Sequence, residues 1–316
     1  MSPLVSILVP VFNRQDLLPA CLDSALAQTE RDLEVVVVDG ASTDGTWEVC
    51  RGYADRDPRV RAFRQDENAG PVLGWIRCLE EARGTFGTFL WSDDLLQPQF
   101  VAATLPSLRD SRIAFSFTAA EIGPEPGRGH VWYRHASGTM PSSTFIEGVI
   151  RGPNPNAWPV SPACGLFRLA DLRRNLVAEL PTQPATDLRW TGAGSDMLLF
   201  VLTATHYPLV ACDERPLAFF RAHPGSLTIG SRAALVALHY TLTRAWYART
   251  HGVGDPAAML AQQWLRAMRH TRHLEGPRSA AKRFGGIVRP SKLTLAAARE
   301  LARYGVRAIV GRNRSA

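Results

Sequence analysis

Residues 85–96 read TFGTFLWSDDLL, an apolar and aromatic run that ends abruptly in two adjacent carboxylates. Phe86, Phe89, Leu90 and Trp91 suit a buried strand, bracketed by Gly84 and Pro98. In an open α/β sheet, ligands gather just outside the carboxyl ends of the strands, which is where Asp93 and Asp94 are expected. Two neighbouring acids at such an edge repel each other unless something positive neutralises them. A divalent cation carrying a phosphorylated ligand does so. Taken alone, the pair is equally compatible with solvated turn acids, because Asp is a common turn residue.

Working upstream, the same pattern recurs twice. Val5 to Phe12, VSILVPVF, is a near-continuous apolar run rich in β-branched residues, as in a central strand covered on both faces, and Asn13 and Arg14 end it. Gln15 to Gln28 places Leu17, Leu18, Cys21, Leu22, Ala25 and Leu26 at helical spacing. Leu33 to Val38 is a second buried strand, closed by Asp39 and the turn-rich GASTDGT, with a helix from about Trp47. Val60 to Phe63 reads as a third strand, 64–70 as a polar loop, and Val72 to Arg83 as the helix that leads into 85–96. Alternating strands and helices predict a parallel sheet with right-handed crossovers. Asn13 with Arg14, Asp39, and Asp93 with Asp94 then share one edge, provided the strands are parallel. There is no GxGxxG after the first strand, which disfavours a dinucleotide fold of the NAD type.

Composition bounds the class. The 316 residues are 46% hydrophobic and 21% charged, ordinary for a globular protein with a proper core. No apolar run approaches the ~18–20 residues needed to span a bilayer. MSPLVSILVPVFNR lacks a basic leader and a small-residue cleavage site, so a first strand is expected there rather than a signal peptide. The five cysteines (Cys21, Cys50, Cys78, Cys164, Cys212) are scattered and never in CxxC spacing, which argues against a disulfide framework and zinc and fits a reducing cytoplasm. Of the 36 Lys and Arg, 16 lie in residues 227–316 against three acids, so that region carries +13 and residues 1–226 carry −6.

The order VSILVPVFNR, CLDSALAQT, EVVVVDGASTDGT, ENAG, EARG and FLWSDDLL resembles the family 2 glycosyltransferases, inverting enzymes with the GT-A nucleotide-sugar-binding fold. The resemblance is tight over 1–100, looser over 101–226 and absent beyond. It implies an α/β, GT-A-like and Rossmann-like fold, a mostly parallel sheet sandwiched by helices. It also implies transfer of a sugar, as in a hexosyltransferase, from a nucleoside diphosphate donor, usually UDP-linked. The acceptor is expected to be a hydroxyl of a saccharide or lipid-linked saccharide, in polysaccharide or glycolipid biosynthesis. By the same resemblance Asp39 binds the nucleotide base, and Pro10, Phe12, Asn13 and Arg14 support that ligand from the end of the first strand. Arg64 is placed at the base or ribose, although an Arg on a loop is also simply solvated, and Asn68 of ENAG joins the donor site. The family's D-x-D appears as Ser92-Asp93-Asp94, with Asp94 as ligand of Mn2+ or Mg2+ and Asp93 near the ribose or donor sugar. Where many members have a second acid after Asp39, this chain has Gly40.

Further along, Ile113 to Thr118 and Ala163 to Arg168 are expected strands, and 169–176 a short helix. Residues 123–162, rich in Gly, Pro, Ser, Asn and His, are expected to be irregular. Their aromatics Trp132, Tyr133 and Trp158 are either buried beneath that surface or sugar-stacking platforms of an acceptor loop. In TGAGSDMLLFVLT, 191–203, Asp196 opens an apolar helix, a position that suits a simple N-terminal cap. The resemblance assigns it as the general base, with Ser195 where many members have Glu. FFRAHPGSL, 219–227, resembles the R-x-H-x-G-S element that closes the family's catalytic domain, placing Arg221 and His223 at the donor diphosphate and the metal.

Residues 227–316 form a basic helical extension with patterns near 232–250, 255–273 and 291–310. Arg299, Arg303 and Arg307 share a face, suited either to an anionic membrane surface or to a solvated stripe. No nucleic-acid reader motif accompanies the charge. The expected location is the cytoplasm, free or peripheral at the inner face of the membrane. Two other classes stay open: a sugar-1-phosphate nucleotidyltransferase, which normally needs a Gly-rich phosphate loop absent from VPVFNR, and a non-catalytic sugar-nucleotide or partner-binding protein.

Overall fold

The computed structural model describes residues 3–152, 157–226, 233–271 and 276–312. The elements run β1 (Val5–Val11), α1 (Leu18–Leu26), β2 (Leu33–Asp39), α2 (Thr46–Arg56), β3 (Val60–Arg64), α3 (Pro71–Glu81), β4 (Phe86–Phe89), β5 (Leu95–Leu96), α4 (Phe100–Thr104) and β6 (Ile113–Gly123). Then come β7 (His130–Trp132), β8 (Gly138–Pro141), α5 (Ser142–Arg151), β9 (Gly165–Arg168), α6 (Leu169–Asn175), β10 (Glu179–Leu180), β11 (Thr186–Asp187), α7 (Ser195–Thr205) and β12 (Leu209–Arg221). Four helices follow: α8 (Ala233–His251), α9 (Pro256–Thr271), α10 (Pro277–Arg283) and α11 (Pro290–Arg312).

The main sheet has the order β3-β2-β1-β4-β9-β6-β12-β5, with β7 added to β6 and β8 to β12. β1 is parallel to both β2 and β4, and β2 to β3. The three strand ends singled out in the sequence therefore do share one edge. The apolar runs of β1 and β2 lie inside the parallel part of the sheet, where Ile7, Leu8, Val35, Val36 and Val37 are wholly buried. Beyond β4 the sheet becomes mixed. β9 runs antiparallel to β4 and β6, while β12 is parallel to β6.

Several elements differ from the sequence expectation: the 85–96 run divides into β4 and β5, β7 and β8 lie within 123–162, and β10, β11 and α10 fall where no element was expected. β6 runs for 11 residues, not six, because β7 and β12 pair with its far half. The stretch expected to be irregular contains the ten-residue α5, whose Phe145, Ile146, Val149 and Ile150 are buried at spacings of one helical turn.

The chain divides into two compact units, one from Met1–Ala178 with Leu188–Ala233, the other from Glu179–Asp187 with Ala234–Ala316. The second contains the β10–β11 hairpin and α8–α11, around a core that includes Leu242, Tyr247, Leu260, Phe284 and Leu293. Arg303 and Arg307 fall within α11, but their side chains lie outside the described residues. Among the described residues no helix is long and apolar enough to cross a membrane.

Candidate active site

The loops after β1 and β2 are knitted together by hydroxyls. The Asn13 N–H donates to Ser42 Oγ at 2.8 Å, the Arg14 N–H to Thr46 Oγ1 at 2.8 Å, and the Thr43 N–H to Asn13 Oδ1 at 2.9 Å. Asn13 takes a left-handed φ of 51°, a conformation Asn tolerates better than most residues. Asp39 is wholly buried beneath this turn. Its two oxygens accept the Ser42 N–H, and Arg64 Nε lies 3.2 Å from Oδ2. Arg64 is therefore engaged rather than simply solvated, with its guanidinium over the Trp47 ring. Phe12 remains 40% exposed at the end of β1. Pro10 faces the small Gly74 of α3, where an added Cβ would lie 3.5 Å from it. Asn68 holds its own loop, accepting the Gly70 N–H at 3.1 Å.

The acidic turn is set by β5, which pairs antiparallel with β12 through Leu95↔Phe219 and Leu96↔Ala218. That ladder carries Arg221 and His223 back onto the acids. The Arg221 N–H donates to Asp94 Oδ1 at 2.8 Å and Arg221 Nε donates to the Asp93 carbonyl at 3.1 Å. His223 Nε2 lies 2.9 Å from Asp93 Oδ2, and Arg14 Nε is 3.9 Å from the same oxygen. Arg14 Nη2 also donates to the Gly225 carbonyl at 3.1 Å. Five sequence-predicted residues from three segments thus meet: Arg14, Asp93, Asp94, Arg221 and His223.

Charge in this cluster is uneven. Burial, and then the neighbouring Asp93 charge, push Asp94 well above the usual carboxylate range, opposed by the Arg221 N–H and its guanidinium. An added cation would relieve that crowding of charge, and carboxylate oxygens suit Mn2+ or Mg2+. Among the described residues no group of three or more His, Cys, Asp or Glu is arranged to hold a metal. One or two carboxylates plus ligand phosphates are the usual way Mg2+ is bound, so the pair fits a metal that arrives with a diphosphate. His223 is placed on Asp93 rather than on Asp94.

Asp196 sits in the first turn of α7 and is 9% exposed. Its Oδ1 accepts the N–H groups of Gly194 at 2.8 Å and Met197 at 2.7 Å. Ser195 is sealed inside, donating to the Val177 carbonyl at 2.6 Å, a structural use of the position. The preceding turn is tight, with the Thr191 and Gly192 N–H groups both on the Leu188 carbonyl. Gly192 has φ 67°, and a Cβ there would lie 2.5 Å from the Trp75 ring. Trp75 packs against Trp91, two residues before Asp93, with ring centroids 4.7 Å apart and tilted by 33°. An aromatic cluster therefore underlies both the acidic turn and the Asp196 turn.

Of the aromatics between 123 and 162, Tyr133 is buried and Trp158 packs on His135 and Phe145. Sequence reasoning missed Ser42, Thr46 and Ser161, the last of which accepts from Trp91 Nε1 at 2.8 Å. GASTDGT was legible as a turn, but which hydroxyl receives which N–H depends on the neighbouring strand.

A protein-family model described as Glycosyl transferase family 2 matches residues 6–174. Among curated proteins, the chain is similar to TuaG of Bacillus subtilis (strain 168), a glycosyltransferase named for teichuronic acid biosynthesis. The match is 29% identical over 48% of this chain and 60% of that protein. It is similar to glycosyltransferase GlyG of Streptococcus pneumoniae serotype 4, 32% identical over 32% of this chain and 34% of that one. It is also similar to chondroitin synthase of Pasteurella multocida (strain Pm70), 38% identical over 37% of this chain and 12% of that one. The matched stretch thus spans 60% or less of these relatives. Among solved structures, S. aureus TarS matches with a TM-score of 0.62 at 18% identity, over 95% of this chain and 54% of TarS. TarS residues 1–349 with UDP-GlcNAc match with a TM-score of 0.60 at 17% identity, over 96% of this chain and 92% of that one. At such identities the likeness concerns the fold.

Proposed function

The chain belongs to glycosyltransferase family 2 and has the GT-A fold, and from that premise we propose that it transfers a sugar from a nucleoside diphosphate donor to a saccharide hydroxyl, with inversion at the anomeric carbon. The observation that carries the proposal is the convergence of Arg14, Asp93, Asp94, Arg221 and His223 at one sheet edge. The Asp196 turn rests on the same aromatic cluster.

In this reading Asp39, Arg64, Asn13 and Phe12 receive the nucleoside, with uracil as the base; the solved TarS complexes hold UDP and UDP-GlcNAc. Pro10 and Asn68 shape the same half of the site. Asp94 and Asp93 would hold Mn2+ or Mg2+, which when bound would offset the charge gathering on the departing diphosphate. Arg221, Arg14 and His223 supply positive or hydrogen-bonding groups to that diphosphate, where negative charge develops in the transition state. Asp196 takes the proton of the acceptor hydroxyl as its oxygen bonds to the anomeric carbon. The bond from that carbon to the diphosphate oxygen breaks on the opposite face, and the electron pair leaves with the diphosphate. No covalent enzyme intermediate is needed.

In this reading residues 1 to about 100 form the donor half and 101–226 the acceptor half, apart from Glu179–Asp187, which belongs to the second unit with α8–α11. Relatives named for teichuronic acid biosynthesis and for chondroitin synthesis support a place in polysaccharide assembly. Contact of the extension with anionic lipid is favoured by one observation on α11: Leu295 is 53% exposed, on the same side of the helix as exposed Lys292 and Arg299. The test of the main proposal is nucleoside diphosphate release from a panel of UDP-, GDP- and dTDP-sugars with Mn2+ and saccharide acceptors. A protein that binds these donors but transfers to none would be a binding module, and pyrophosphate-dependent chemistry would indicate a nucleotidyltransferase.

A further inference from the structure

Of the described tryptophans only Trp190 is exposed, at 44%. It stands in the turn that leads to Asp196. The next two N–H groups, of Thr191 and Gly192, share the Leu188 carbonyl, and the Asp196 N–H donates to the Gly192 carbonyl at 3.2 Å.

The same residue is clamped to the donor half. The Val72 N–H, in the first turn of α3, donates to the Arg189 carbonyl at 3.3 Å. Gly70, just before α3, has φ 94°, and a Cβ there would lie 2.7 Å from the Arg189 carbonyl oxygen and 3.3 Å from Trp190 Cε3. Only glycine leaves room for that seat. α3 crosses between the parallel strands β3 and β4, so it runs against them and starts at their carboxyl edge. One turn further on, Gly74 faces Pro10 of β1, with 3.5 Å to an added Cβ. Trp190 therefore lies on the rim of the edge that holds Asn13 and Arg14, between the loop of Asn68 and the turn of Asp196.

A single exposed apolar residue is ordinary. This one is fixed by backbone hydrogen bonds on both sides, and two glycines of positive φ, Gly70 and Gly192, make room for it and for Trp75. An indole held rigidly in water adds little to folding, but it offers a flat face whose ordering is complete before a ligand arrives. A pyranose matches that face: its hydroxyls lie around the rim, and the C–H groups of its flat side rest on the negative face of an aromatic ring. In an inverting transfer the attacking hydroxyl comes from the side opposite the leaving diphosphate, so a platform on the Asp196 turn serves the acceptor. We propose that Trp190 is an acceptor-binding residue, on whose indole face the acceptor sugar ring stacks while Asp196 takes the proton of its attacking hydroxyl. The proposal rests on the glycosyl-transfer reading of the same site and deepens it: the acceptor is a cyclic sugar and not an acyclic polyol.

The experiment compares wild type with Trp190→Ala, Trp190→Leu and Trp190→Phe. Nucleoside diphosphate release is followed with UDP-, GDP- and dTDP-sugars and Mn2+. The acceptors are the methyl β-pyranosides of glucose, galactose and N-acetylglucosamine, set against glycerol, ribitol and sorbitol. Wild type should use a pyranoside and ignore the polyols. Trp190→Ala should lower acceptor kcat/KM by about 10–100-fold, mainly through acceptor KM, as for truncation of a tryptophan anchor. Trp190→Phe should recover most of that loss and Trp190→Leu should not, while donor KM and calorimetric UDP affinity stay unchanged. Acrylamide quenching of tryptophan fluorescence adds a readout that a packing role would not move. With UDP and Mn2+ present, the best pyranoside should protect wild type, and that protection should vanish in Trp190→Phe. The wild-type half of both measurements stands even if a variant folds poorly. Equal acceptor KM in wild type and Trp190→Ala, donor KM rising in step with acceptor KM, no protection by the pyranoside, or a wild type that transfers to no pyranoside overturns the proposal alone. Wild type that releases nucleoside diphosphate from no donor overturns the transferase reading, and the proposal with it.

Discussion

His223 Nε2 lies 2.9 Å from Asp93 Oδ2, across 130 positions of sequence. Arg14, from the first strand's loop, approaches the same oxygen at 3.9 Å. Asp93 is thus the point where the beginning, the acidic turn and the closing motif of the first unit are joined.

Because His223 and Arg14 share that oxygen, their contributions to donor binding should not add. We predict that His223→Ala and Arg14→Ala each weaken UDP affinity in the presence of Mn2+, and that the double variant loses less than the two combined. The coupling should be on the order of 0.5–3 kcal/mol by calorimetry. Strict additivity would place the two residues in independent sites.

Asp94 is held above the usual carboxylate range by burial and by Asp93. A folded-state pKa raised above the unfolded value means stability that is full below the unfolded pKa and lost as pH rises toward the folded one. Metal-free Asp94→Asn should therefore melt higher than wild type at pH 7, with the difference vanishing near pH 3. Adding Mn2+ with UDP should raise the wild-type Tm and leave that of the variant unmoved. Equal ligand stabilisation of both proteins would remove Asp94 from the metal site.

Asp196 Oδ1 accepts two backbone N–H groups, from Gly194 and Met197. Asn presents the same oxygen, so Asp196→Asn should keep the turn and the fold while losing the proton acceptor. Turnover should drop ~10²–10⁴-fold with UDP affinity nearly constant. If Asp196 only caps α7, the Asn variant will transfer sugar at close to the wild-type rate.

Gly192 joins a positive φ to a close approach on the Trp75 ring, with 2.5 Å available to a Cβ. Gly192→Ala should cost on the order of 1–3 kcal/mol of stability. It should also lower kcat, because the same turn positions Asp196. Denaturant unfolding together with initial rates checks both, and an alanine variant with unchanged stability would mean that the turn relaxes freely.

Leu295 projects from α11 on the same side as Lys292 and Arg299, and Leu301 is exposed a turn and a half further on. Leu295→Glu with Leu301→Glu should reduce sedimentation with phosphatidylserine vesicles at low salt, and salt should release the wild type. Full-length protein that ignores such vesicles would mark this face as simply solvated.

Much of the donor half was legible in sequence because its signals are local. The apolar runs of β1, β2 and β4 each end in a polar group, and helical periodicity between them implies parallel strands with a shared edge. Asn13, Arg14, Asp39, Asp93 and Asp94 followed from that logic, and α7 announced itself through the small-residue turn before Asp196. The acceptor side was less legible. α5 had its buried spacing, but the glycines and prolines around it masked the period.

By itself, then, the sequence determined which strands end in chemistry and on which edge, since alternation of strand and helix leaves the parallel topology little choice. Only the tertiary structure decided the partners: Asp93 with His223 and Arg14, Asp94 with the Arg221 N–H, and Ser195 with Val177. The physical reason is that the contacts of Asp93 and Asp94 with the closing motif depend on β5 pairing with β12. Such ladders are short and join segments distant in sequence. Their register is set by packing across the whole sheet, and no local periodicity encodes it.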